Sequence, residues 1–217
     1  AMFATTARRM GYAIAVWDPD PEAPAHRLAD YSLVKPFMDA AARKNFVERV
    51  RAVTYEWENV PADLCEQMES EVPVRPSSRV LRVIQDRIEQ KTFLHAHGLA
   101  VPRFHALSSP EELSRQTVLA YPLVCKTATA GYDGKGQWKI DRTEDCDTVQ
   151  QDMARSTRPG SRWILEEWLP FEREVSILVV RTLDGAARTY PLVENVHEDG
   201  ILRQTTVPAD VPESVAE

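Results

Sequence analysis

The chain has 217 residues, of which 43% are hydrophobic and 27% charged, with a formal net charge of −7; this suits one or two globular domains with their own cores. No run of about 18 apolar residues could span a bilayer, no basic stretch followed by an apolar one marks a secretory signal, and no dense Lys/Arg stripe favours nucleic acid. The three cysteines, Cys65, Cys125 and Cys146, show no metal-ligand spacing, which argues for reduced thiols in a cytoplasmic protein.

Residues 1–10, rich in Ala and Arg, predict a helix closed by Gly11. The apolar run 12–18 predicts a buried strand ending at Asp18, followed by a proline-rich loop. A second strand is expected over 31–37, a helix over 38–50 and a third strand over 52–56. Such alternation predicts a parallel sheet with crossover helices, whose ligands sit beyond the carboxyl ends of the strands. Asp18 and the Glu56-Trp57-Glu58-Asn59 run lie at such ends, where a solvated loop carboxylate is an equal reading of Asp18. Residues 75–98 predict one helix, entered after Pro76, capped by Ser77 or Ser78 and closed by Gly98. Val80, Ile84, Ile88 and Leu94 mark its apolar face. Arg87 and Lys91, four apart, share a side, as a solvated face commonly does.

A second unit follows, with the boundary near 75–100. Strands are expected over 101–107, 122–127, 137–141 and 162–168. A short helix over 109–115 carries Ser109 as cap, Pro110 in its first turn and Glu112 completing a capping box. Residues 144–154 are helical, and a hairpin turns at Asp184-Gly185. This pattern predicts an α+β domain with a mostly antiparallel sheet.

The loop TATAGYDGKGQW (127–138) joins two of those strands. It lacks the Gly-Lys-Ser/Thr of a P-loop and the third glycine of a dinucleotide fingerprint. A flexible hairpin tip and a glycine loop lying over phosphates both remain, the latter because glycine lets backbone N–H groups approach an anion. Lys126 enters the loop from an apolar strand and suits a phosphate as a point charge; an edge-strand charge opposing aggregation is its other reading. Further on, ILEEWLPFEREVS (164–176) breaks a strand with two carboxylates, an aromatic and a proline.

Lys126, GYDGKGQW (131–138), EEWLPFEREVS (166–176) and YPLVENVHEDGIL (190–202), with VTYEWENVP (53–61) and QDRIEQKTFL (85–94), occur in this order over nearly the whole chain. Together they resemble the ATP-grasp superfamily and, within it, the N5-carboxyaminoimidazole ribonucleotide synthetase family of de novo purine biosynthesis. The resemblance implies an α/β and α+β architecture. A partial Rossmann-like pre-ATP-grasp domain would occupy 1–75, and a linking helix with the start of the ATP-grasp region 76–100. The antiparallel-sheet lid subdomain would occupy 101–170, and an incomplete C-terminal subdomain 171–217.

It also implies ATP-driven carboxylation of 5-aminoimidazole ribonucleotide by bicarbonate through carboxyphosphate, in a cytoplasmic enzyme that is a homodimer at full length. Arg87 and Lys126 would meet the ATP phosphates. Gly131, Tyr132, Asp133, Gly134, Lys135, Gly136 and Gln137 would form the phosphate lid. Glu166, Glu167, Trp168 and Leu169 would hold adenine, Glu174 the ribose, and His197 would line the nucleotide site. Tyr132, Asp133 and Lys135 would face the imidazole ribonucleotide and, with Lys126, form the catalytic group. The family begins with a strand and glycine-rich turn before the first residue here. It continues past 217 through its Mg²⁺ ligands, so no metal ligand is expected in this chain. Another ATP-grasp ligase or carboxylase, such as formate-dependent glycinamide ribonucleotide transformylase or biotin carboxylase, and an inactive fragment lacking the metal site are the alternatives. The Tyr132-Asp133 pair and residues 194–201 favour the synthetase.

Overall fold

In the computed structural model, which describes residues 1–129, 136–156, 158, 160–198 and 200–216, the chain forms two compact units, Ala1–Ala100 and Val101–Glu217. The first unit opens with helix α1 (Met2–Arg9), which stops as Gly11 turns to a φ of 88°, a left-handed backbone that glycine adopts without a Cβ penalty. Parallel strands β1 (Ala15–Trp17) and β2 (Tyr31–Leu33) pair from Ala15–Tyr31 to Trp17–Leu33. Asp30 anchors them: its carboxylate accepts the Ile14 N–H at 2.8 Å and pairs with Arg8 at 2.6 Å. Those bonds hold the Asp30 carboxyl below its ordinary range. Helix α2 (Ala40–Val47) starts at Asp39, whose side chain accepts the Ala42 N–H at 2.9 Å. Helices α3 (Ala62–Glu69), α4 (Ser78–Gln85) and α5 (Arg87–Ala96) follow. Phe46, Leu64, Cys65, Met68, Val74 and Leu81 form the core.

Three expectations are corrected in this unit. Residues 52–56 form no strand; Val53 makes one parallel bridge to Val74, donating to the Pro73 carbonyl and accepting from the Arg75 N–H. Pro73 and Pro76 flank the partner segment and have no N–H with which to extend a ladder. Helix α3 was not expected; it begins after Pro61 and buries Leu64, Cys65 and Met68 at helical spacing. The single helix expected over 75–98 is two helices. Asp86 sits between them in an extended conformation, and its carboxylate accepts the N–H of Ile88 and Glu89 at 2.8 and 3.2 Å. A buried aspartate thus ends one helix and caps the next. The start of α4 is served from a distance, since Glu69 accepts both the N–H and the hydroxyl of Ser78. Leu81 rather than the exposed Val80 carries the apolar face.

The second unit is built on β3 (Phe104–Leu107), β4 (Leu123–Thr127), β5 (Gln137–Ile140) and β6 (Trp163–Glu167), antiparallel throughout in the order β3-β6-β4-β5. Leu107, Leu123, Cys125, Trp163 and Leu165 pack on one side against Val149 and Met153 of helix α6 (Cys146–Ser156). The expected helix at 109–115 is a 3₁₀ helix, Pro110–Arg115, without a Ser109 cap bond. Glu112 instead accepts the N–H of Ser108, one residue upstream, at 3.0 Å, while the Ser109 hydroxyl bonds Glu111 and lowers that carboxyl's pKa.

Beyond this sheet come β7 (Glu174–Ser176), β8 (Val179–Arg181), β9 (Ala187–Thr189), β10 (Val193–Glu198) and β11 (Ile201–Thr206), then the single turn α7 (Glu213–Ala216). Strands β11-β10-β7 form an antiparallel sheet, and β8-β9 form the hairpin expected around Asp184-Gly185. Gly185 takes a φ of 90° there.

Candidate functional site

The site begins with the alternation of β4. Leu123 and Cys125 face the α6 core, so Val124 and Lys126 face the opposite side. In the β4–β6 register Val124 lies opposite Glu166 and Lys126 opposite Ile164. These four side chains therefore make one patch, apolar along one diagonal and charged along the other. Lys126 Nζ is 2.8 Å from Glu166 Oε2 across it. Glu166 is only 3% exposed, Ile164 is fully buried, and the Lys126 side chain keeps 26% of its surface. Next to the patch, burial and then the Glu166 carboxylate push the Cys125 thiol up to about 12. That thiol is accordingly a packing group, not a nucleophile.

Past Glu166 the backbone stays tied to both neighbouring segments before it turns away. The Glu167 N–H donates to the Arg103 carbonyl and the Trp168 N–H to the Pro122 carbonyl, both at 3.0 Å. Leu169 then accepts the Phe171 N–H at 2.9 Å, a tight turn about Pro170. Two cations brace this segment: Arg103 pairs with Glu167 at 3.1 Å, and Lys139 Nζ lies 4.9 Å from the centre of the Trp168 ring. Sequence reading missed both. Each is distant along the chain from its partner, and only the strand order brings it near.

At the far end of β4, the Thr127 N–H donates to the Gly136 carbonyl at 3.0 Å. Gly136 has a φ of 75°, and a Cβ there would lie 3.0 Å from Thr127 Cγ2, so conformation and space both call for glycine. Gln137 pairs with Lys126 in the sheet. Gly131, Tyr132, Asp133, Gly134 and Lys135 lie outside the described residues.

Glu174 and His197 form a second pair, on β7 and β10, with Glu174 Oε1 3.2 Å from His197 Nδ1. The register shifts between Val196 and His197, an irregularity that re-aims the histidine. Asn195, opposite Glu174, bonds Ser176 and Thr205 on its two sides and so fixes that part of the sheet. Arg87, in the first unit, is the first residue of α5, directly after the Asp86 cap, and Lys91 lies one turn on.

This arrangement offers a fixed ammonium on an apolar sheet face, a strand end with backbone groups for a planar edge, and a carboxylate–imidazole pair. By type, an ammonium, strand-end backbone and a carboxylate are the groups that meet phosphate, a base edge and ribose hydroxyls. Among the described residues, no three or more His, Cys, Asp or Glu side chains cluster as the ligands of an all-protein metal site would.

The ATP-grasp domain family matches residues 92–217, and the ribonucleotide synthetase preATP-grasp domain family matches residues 1–85. An N5-carboxyaminoimidazole ribonucleotide synthase of Bacillus subtilis is 32% identical over 99% of this chain and 55% of its own length. The crystal structure of an N5-carboxyaminoimidazole ribonucleotide synthetase in its ADP complex superposes with a TM-score of 0.90 at 35% identity, over 99% of this chain and 56% of that one. An Aspergillus clavatus N5-carboxyaminoimidazole synthase, in complex with ADP and 5-aminoimidazole ribonucleotide, superposes with a TM-score of 0.81 at 26% identity, over 99% and 56% of the two chains. The chain thus spans about half the length of these three relatives.

Proposed function

The chain belongs to the ATP-grasp family, and from that premise we propose that it is the nucleotide-binding part of an N5-carboxyaminoimidazole ribonucleotide synthetase. The reaction is the ATP-driven carboxylation of 5-aminoimidazole ribonucleotide by bicarbonate. The observation that carries this reading is Lys126, held 2.8 Å from the buried Glu166 on an apolar sheet face. Its strand runs into the glycine loop, and the strand beside it ends in the braced turn at 167–169.

In this reading Lys126 and Arg87 bind the nucleotide phosphates and oppose the charge that builds up during phosphoryl transfer. The backbone of Glu166, Glu167, Trp168 and Leu169 meets the adenine edge. Glu174 accepts from ribose hydroxyls, and His197, 3.2 Å away, orients it. Bicarbonate is a poor electrophile; phosphorylation gives carboxyphosphate, which delivers its carboxyl carbon to the amine. Carboxyphosphate is labile in water, so covering the site with Gly131 to Gln137 has a physical purpose. Tyr132, Asp133 and Lys135 on that loop face the imidazole ribonucleotide. Residues 1–75 act as the pre-ATP-grasp domain, 76–100 as the link, 101–170 as the lid subdomain and 171–217 as the start of the C-terminal subdomain. The full-length protein is a cytoplasmic homodimer that uses ATP with Mg²⁺.

Calorimetric titration of the chain with ATP tests the reading. Lys126→Met weakens binding by about tenfold or more, equivalent to ~1.4 kcal/mol; unchanged affinity would remove Lys126 from the site. In the full-length protein, ADP release requires 5-aminoimidazole ribonucleotide and bicarbonate together. Release with glycinamide ribonucleotide and formate instead would reassign the substrate.

A further inference from the structure

We propose that Glu166 acts through its side chain as the positioning residue of Lys126, presenting the ammonium to a bound phosphate from a fixed point. The inference rests on the nucleotide reading above and extends it, because that reading uses only the backbone of Glu166. The two residues lie on neighbouring strands at diagonal positions, and their charged atoms meet at 2.8 Å. Glu166 follows Trp163, Ile164 and Leu165, each at most 1% exposed, and is itself almost as deeply buried. A carboxylate so placed strongly disfavours the loss of its cation. A lysine otherwise spreads over many rotamers; here its head group is held at one end.

The chemistry follows from counting donors and charges. The ammonium has three N–H donors. One is used on Glu166 Oε2, which leaves two to point at a ligand oxygen. The neighbouring carboxylate tempers the field of the ammonium, so Lys126 supplies direction to the phosphate as well as charge. Removing Lys126 therefore has two effects: the donors go, and the buried Glu166 carboxylate, an anion on the face that meets the ligand, loses its ion pair with the ammonium. Glu166→Gln in the same protein removes the second effect while keeping the backbone and shape of residue 166.

A double-mutant cycle measures this. Wild type, Glu166→Gln, Lys126→Met and the double variant are titrated with ADP by calorimetry and melted by differential scanning calorimetry. In parallel, the rate at which Lys126 is acetylated by an activated acetate ester is read by peptide mass spectrometry in wild type and Glu166→Gln. Glu166→Gln is expected to weaken ADP by roughly three- to tenfold and to raise the Lys126 acetylation rate by a few-fold. Lys126→Met weakens ADP further and lowers the melting temperature. The double variant binds ADP about fivefold or more tightly than Lys126→Met and melts above it. A double variant whose ADP affinity and melting temperature are simply the two single effects combined, with unchanged acetylation, overturns the proposal. If wild type binds no ADP, the nucleotide reading fails; the melting and acetylation arms still decide whether Glu166 holds Lys126.

Discussion

The β3-β6-β4-β5 sheet and the β11-β10-β7 sheet belong to the same unit, and both are antiparallel. On the first, Leu107, Leu123, Cys125, Ile140, Trp163 and Leu165 are all essentially inaccessible, sealed by α6. On the second, every residue of β11 is exposed, as is every residue of the β8–β9 hairpin. Val196, Ile201 and Leu202 keep about half of their surface despite β-branched and aliphatic side chains suited to strands. Pairing therefore makes a sheet, whereas a helix laid across it makes a core. The candidate site reflects this. The Lys126–Glu166 pair stands on the sheet that has a core beneath it and is positioned from within. The Glu174–His197 pair stands on the open sheet, with both side chains more than a third exposed.

Matched truncations give the sharpest test of that contrast. Leu165→Ala, in the sealed sheet, costs about 3–4 kcal/mol in urea unfolding followed by circular dichroism, whereas Leu202→Ala on β11 costs less than about 0.5 kcal/mol. Equal costs would break the comparison. A pH series sharpens it next. Folded Cys125 keeps its proton up to about pH 12, while the unfolded thiol releases it near 9. Between those values the unfolded chain binds fewer protons, so stability falls as pH rises from 9 towards 12 and is unaffected below 9. Cys125→Ser should make that alkaline limb shallower, leaving the share of Tyr55 and Cys65, which burial raises to about 12 and about 11; an unchanged slope would remove Cys125 from it. The smallest effect concerns local opening. Amides of β4 and β6 exchange more slowly than those of β8 and β9, by roughly a hundredfold or more. Uniform protection, measured by mass spectrometry, would show that the open sheet opens only with the rest.

Much of the fold was legible in the sequence because the physics there is local. Gly11, Gly98 and Gly185 ended helices and turned a hairpin where expected, since each adopts a positive φ that other residues resist. The runs 122–127, 137–141 and 162–168 became strands, and Lys126 stood out as a charge in an apolar run. Less was legible where partners lie far along the chain. Asp86 reads as an ordinary helical residue until its burial makes it a cap. Residues 52–56 read as a strand until the prolines of the facing segment limit them to one bridge.

For the site, the sequence by itself determined the residue types: a lysine entering a glycine loop, two glutamates before a break, a glutamate and a histidine further on. Only the tertiary structure decided which of them touch. It joined Lys126 to Glu166 rather than to Glu167, because strand alternation sends Glu166 to the lysine's face. It gave Glu167 to Arg103 and Trp168 to Lys139. Side-chain type is a property of one position, whereas a contact depends on strand order and register, which the whole sheet settles together.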